Sequence, residues 1–179
     1  MAVSKEITYI YPHMKNQKNT GRKAPGLFIV RALLLVITLL GSTAAFSQSK
    51  YIKQYRAMAD SLSEEYGIPA SVILGVAILE SGSGTSRNAR LLNNHFGIVG
   101  KNKLKNVKTR YKQYESVYDS YKDFCKLLKK KKYYKTLKGN MNYTLWVDAI
   151  SKAGYSEVPA TWKQRVISTI KKNKLASVK

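Results

Sequence analysis

The stretch from Pro69 to Leu79, Pro69-Ala70-Ser71-Val72-Ile73-Leu74-Gly75-Val76-Ala77-Ile78-Leu79, is almost wholly apolar, and it runs straight into Glu80-Ser81-Gly82-Ser83-Gly84. A proline suited to a first helical turn and glycines that stop the run make this a buried helix around which the rest of the chain must be arranged. Glu80 sits at its C-terminal turn and is the only acidic residue between Tyr66 and Tyr114. Burial against the aliphatic face and the negative end of the helix dipole both push such a carboxyl group to hold its proton. A glutamic acid with a raised pKa is what general-acid chemistry near neutral pH needs. The competing reading is a glutamate that merely ends a core helix with its head in water.

Helical patterning continues on both sides. Tyr51 to Tyr66 carries Ile52, Tyr55, Met58, Ala59 and Leu62 at helical spacing, and Gly67 ends it. Arg87 to Leu92 fits a short helix, and Ser116 caps a helix through Leu128 with Asp119 in its first turn. Asn142 or Thr144 opens another that ends before Gly154. Pro159 opens the last, turning Trp162, Val166, Ile167 and Ile170 inward. Between Phe96 and Tyr114 the Lys- and Asn-rich segment reads as loop with a weak strand pair. There are no internal repeats.

Several ordered blocks resemble glycoside hydrolase family 73, the bacterial glucosaminidases. These are Gly67-Ile68-Pro69-Ala70-Ser71, Ala77 through Ser86, Asn93-Asn94-His95-Phe96-Gly97-Ile98, Tyr111-Lys112-Gln113-Tyr114-Glu115-Ser116 and Ala153-Gly154-Tyr155-Ser156-Glu157. A series of blocks in order is far more specific than one short motif. The resemblance implies a mainly α (α+β) class, a lysozyme-like helical domain with a small, short β-hairpin lobe. It also implies cleavage of N-acetylglucosaminyl bonds in peptidoglycan, so the expected partners are peptidoglycan glycan strands. The alternative is a non-catalytic peptidoglycan-binding module on the same scaffold.

By the same resemblance Glu80 is the general acid, and Tyr155 positions the N-acetyl group or the attacking water. Asn94 and Phe96 belong to a block expected to turn back toward the glutamate, with Tyr114 and Trp162 as further sugar contacts. Ser83 stands where the family often has an aromatic residue, which argues for a more open cleft or a different sugar contact. Glycosidic cleavage ordinarily takes two carboxylates. Family members often carry the second in the hairpin, yet residues 97–114 contain no Asp or Glu. Three routes remain. Glu80 acts with the substrate's own 2-acetamido group, Glu115 reaches the site by loop closure, or turnover has been lost and glycan binding kept. Glu115 also fits a structural role at the start of the following helix.

Residues 1–47 form a basic leader, an apolar run from Leu27 to Gly41 interrupted by Arg31, and small residues at Ala45 and Ser47. That order reads as a secretory signal peptide with cleavage near Ser47, which leaves residues 48–179 as the expected catalytic domain. Two variants stand beside it: a start at Met14, or an uncleaved anchor that associates with the membrane. The expected location is the periplasm or cell envelope.

The chain has 32 Lys+Arg and 10 Asp+Glu. Setting aside the six basic residues and one acid of the leader leaves 26 against 9, a formal +17 for residues 48–179. Such a surface favours anionic partners. Lys interleaved with Tyr also suits nucleic acid, which an exported protein rarely meets, so no nucleic-acid partner is expected. Cys125 lies among apolar residues and reads as a buried, inert thiol. Neither His13 nor His95 supplies it with an evident base, and no metal-ligand spacing is present. No cofactor is expected, and the protein is expected to be a monomer.

Overall fold

A computed structural model of the chain describes residues 48–105 and 108–176. The leader segment lies outside the described residues. Seven helices are described: α1 over residues 48–66, α2 Ala70–Ser81, α3 Arg87–Leu92, α4 Val117–Lys129, α5 Tyr134–Leu137, α6 Tyr143–Lys152 and α7 Pro159–Lys172. This is a mainly helical domain, as the residue patterning predicts. None of these helices is long and apolar enough to cross a membrane.

Helix α2 is the hub. Every residue from Ser71 to Ile78 is buried, and the helix packs against α7, α6 and α4. Its lack of a polar face follows from being enclosed on all sides. Gly75 makes the tightest of these contacts possible, because a Cβ there would stand 2.6 Å from Ile170 Cγ1 of α7. Helix α7 presents Trp162, Val166 and Ile170 to the core at helical spacing, and Ile167 is half-buried. In α1, Tyr51, Ala59, Leu62 and Tyr66 form the buried stripe.

Local signals set the helix starts. Ser116 and Asp119 form a complete capping box on α4, and the Asn142 side chain accepts from Thr144 N on α6. Pro159 occupies the first turn of α7, where its missing N–H costs nothing. At the end of α2, Gly82 adopts a left-handed conformation (φ 56°), and its N–H bonds back to Ile78 O.

The expected strand pair is reduced to one antiparallel bridge, Val99 with Tyr111. Gly100 N donates to Arg110 O (2.9 Å), Lys112 N to Ile98 O (2.8 Å) and Gln113 N to Lys101 O (3.0 Å). Among the described residues pairing does not extend into strands, and seven of the eighteen residues from 97 to 114 are Lys or Asn, which favour strands little. The segment is held by side chains instead. Asn94 Nδ2 donates to the carbonyls of Ile98 and Lys112, both at 2.8 Å, while its Oδ1 accepts from the N–H groups of Phe96 and Ile98.

Candidate active site

Glu80 ends α2 on the wall of a groove of about 610 Å³. The groove is lined by Phe96 to Val99 and by Arg110 and Tyr111 on one side. Residues 153–158, between α6 and α7, line another, and Lys131 and Tyr133 also face it. Burial pushes the Glu80 carboxyl above its ordinary pKa, opposed by a hydrogen bond from Trp162 and by the charge of Arg165. Desolvation wins because the carboxylate has one fixed donor and a largely apolar surround. The two carboxyl oxygens differ in role. Oε1 accepts from Trp162 Nε1 at 2.7 Å, whereas Oε2 faces Gly97, whose Cβ, if present, would sit 3.8 Å away. Gly97 has φ 66° and lines the groove, so its missing side chain leaves Oε2 open on that side.

Tyr155 lines the same groove, and its hydroxyl donates to Phe96 O at 2.7 Å. Its ring packs against Trp162 at 5.2 Å between centroids. Burial, and then the neighbouring Glu80 charge, push its phenol well above the ordinary range, so it stays protonated as a donor. Tyr155 thereby joins the Phe96–Gly97 backbone on one wall to the indole that holds Glu80.

The remaining sequence candidates are distributed as follows. Phe96 lines the groove but is buried and stacked on Phe124 (4.3 Å, 9°). Trp162 is 5% exposed and reaches the site through its N–H. Asn94 is buried with its amide committed to backbone groups, so it shapes the groove wall through the bridge segment. Tyr114 lies away from the groove lining, donating to Asp123 Oδ2 at 2.8 Å. Ser83 sits in the turn after α2 with φ 56°, outside the lining. Glu115 is exposed, also outside the lining, and its carbonyl accepts from Asn93 Nδ2.

Two features escape a reading of the sequence. His95 is buried with Nδ1 2.6 Å from the Tyr51 hydroxyl, which lies 2.8 Å from the Tyr121 hydroxyl. Burial lowers the imidazole pKa to about 4, so the ring is neutral and packs as part of an aromatic cluster. Cys125, by contrast, is buried as its apolar neighbours predict, and desolvation pushes its thiol up to about 12. The second feature is Glu157, which lines the groove. An exposed loop acid beside an Ala-Gly-Tyr block carries no periodic signal, and only the fold shows which surface it faces.

Residues 56–175 match the family model described as Glucosaminidase, mannosyl-glycoprotein endo-beta-N-acetylglucosaminidase. The chain is 28% identical to the exo-glucosaminidase LytG of Bacillus subtilis (strain 168) over a match covering 72% of this chain and 55% of that protein. It thus spans about half the length of that curated relative. The fold is similar to the catalytic domain of the autolysin Auto from Listeria monocytogenes, with TM-score 0.62 and 22% identity over 73% of this chain and 86% of that one. It is also similar to the glycoside hydrolase domain of Salmonella typhimurium FlgJ, with TM-score 0.59 and 24% identity over 73% and 90% of the two chains.

Proposed function

We propose that this chain, which belongs to the glucosaminidase family of glycoside hydrolases, cuts the β-1,4 bonds of peptidoglycan glycan strands after N-acetylglucosamine, with Glu80 as general acid. The observation that carries this reading is a carboxyl group at the groove wall whose pKa burial raises, with one oxygen tied to Trp162 and the other open beside Gly97. In that arrangement Oε2 delivers the proton to the leaving glycosidic oxygen. The Trp162 N–H then bonds to the carboxylate that remains, which stabilises the charge as it develops. Tyr155 keeps the Trp162 ring and the Phe96–Gly97 backbone in place around the transfer.

The groove also bears the exposed cations Arg110 and Lys131. They suit a substrate that carries peptide carboxylates, and residues 48–179 as a whole are strongly basic. Peptidoglycan lies outside the cytoplasm, so the proposal includes export, which the ordered basic, apolar and small-residue regions of 1–47 support.

The test is digestion of purified peptidoglycan by the full chain, with mass analysis of the fragments. New reducing ends on N-acetylglucosamine are expected. Reducing ends on N-acetylmuramic acid alone would replace this reading with a muramidase, and binding without fragments would replace it with a wall-binding module. N-terminal sequencing of the envelope-fraction protein tests export, with a start near Gln48 expected.

A further inference from the structure

We infer that Glu157 is the second catalytic carboxylate, the base that activates the attacking water. The inference rests on the reading of Glu80 as general acid. Glycosidic cleavage by a single displacement needs an acid and a base facing one sugar from two sides. The bridge segment across the groove offers no base, since residues 97–114 contain no acid.

The other carboxylates of the described residues are engaged or elsewhere. Asp60 pairs with Arg56, Asp123 with Lys112, and Asp148 with Lys152 and Lys163. Asp119 belongs to the capping box of α4, and Glu65 lies 3.6 Å from Lys122. Glu64 lines a separate hollow with Pro69 and Leu175, and Glu115 lies outside the groove. Of the described carboxylates Glu157 alone shares the groove with Glu80, and it makes no hydrogen bond or ion pair with the described residues.

Its placement follows from the chain around it. Gly154 turns the backbone after α6 (φ 75°), Tyr155 is pinned by its bond to Phe96 O and its packing on Trp162, and Ser156 Oγ accepts from Val158 N. Glu157 is thus two residues from a side chain anchored beside Glu80, on the loop between α6 and α7, whereas Glu80 comes from the end of α2. The difference in surroundings sorts the roles. Glu80 is desolvated, which favours its protonated form, whereas Glu157 is exposed, where water is at hand. Exposed to water on the groove rather than packed into its wall, Glu157 fits the water-activating role.

The Glu157 carboxylate takes a proton from water while the water oxygen bonds to the anomeric carbon. The bond from that carbon to the leaving oxygen breaks, and the leaving oxygen takes the proton of Glu80. The sugar is released with inverted configuration, and exchange with solvent reprotonates Glu80 and deprotonates Glu157.

The experiment compares the full-length wild type, Glu157→Gln and Glu80→Gln on soluble peptidoglycan fragments. It measures reducing-end release, the proton NMR spectrum of the fresh product and a melting curve for each protein. The expected result is a loss of about 10²–10⁴-fold in Glu157→Gln with an unchanged melting curve, and an α-anomer as the first product of the wild type. Turnover by Glu157→Gln within a few-fold of wild type, or a β-anomer as first product, would overturn the inference. Glu80→Gln separates the two readings. If it is inactive while Glu157→Gln is active, the general acid stands and the base does not; if it matches wild type, the assignment of Glu80 itself fails.

Discussion

The indole N–H of Trp162, on α7, donates to Oε1 of Glu80, at the end of α2, across 2.7 Å. The contact requires α7 to lie close along α2, which Gly75 permits. It works against burial, lowering a carboxyl pKa that desolvation raises. Trp162→Phe removes the donor and keeps an aromatic ring. Its loss disfavours the charged form, so the Glu80 pKa rises further. With Glu80 as the proposed general acid, which must be protonated, activity is expected to fall as pH climbs past that pKa, and the basic limb of the kcat/KM profile to move to higher pH. An unmoved limb would detach Trp162 from proton transfer.

Glu80→Gln keeps the side-chain shape and an oxygen that accepts from Trp162, but has no proton to give. Hydrolysis is expected to fall by about 10²–10⁴-fold, with glycan sedimentation retained.

The same substitution has a stability signature. The folded-state pKa of Glu80 lies above its unfolded value, so between the two the folded protein binds more protons. Wild-type stability therefore falls as pH rises through that window and levels off above the folded pKa. Glu80→Gln does not titrate there. Its melting temperature is expected to match or exceed that of wild type at neutral pH, with the advantage vanishing as pH drops below the ordinary carboxylate range. A melting series across pH checks the sign.

How much of this was legible in the sequence varies with the range of the interaction. Helix α2 is readable because an unbroken apolar run admits no other placement, and the starts of α4, α6 and α7 carry local caps or a proline. The Trp162 contact spans 82 residues, and its geometry depends on how close α7 approaches Gly75, which no local pattern encodes. Helix α5 is four residues long, too short for periodicity to register. Asn94 illustrates a different limit: its residue type suits a sugar as well as a backbone, and only the neighbouring carbonyls reveal that its amide is already engaged.

Gly75 tests the packing that positions the site. A methyl group there meets Ile170 Cγ1 at 2.6 Å, and the crowded atom belongs to a buried side chain with little room to move. Gly75→Ala is expected to cost roughly 1–3 kcal/mol, the usual range for overpacking, and to lower activity through the α7 position of Trp162. Combined with Ile170→Ala, which removes both Cγ1 and the Cδ1 atom 3.1 Å from that methyl, it should cost less than the sum of the two single variants. Costs that simply add would mean that α7 meets α2 through other contacts.

Charge is expected to contribute to wall binding separately from the acid. Residues 48–179 carry a formal +17, and two of the cations, Arg110 and Lys131, stand on the groove itself. Exposed charges act over a Debye length of about 10 Å at 0.1 M salt and about 3 Å at 1 M. A diffuse basic surface should therefore lose much of its attraction for peptide carboxylates across that range, while hydrogen bonds and ring contacts in the groove lose little. Co-sedimentation with peptidoglycan is expected to weaken as salt rises. Arg110→Gln with Lys131→Gln should reduce binding at low salt more than at high salt, because only the screened component is removed. Salt-independent binding by wild type would assign the affinity to the groove's uncharged contacts instead.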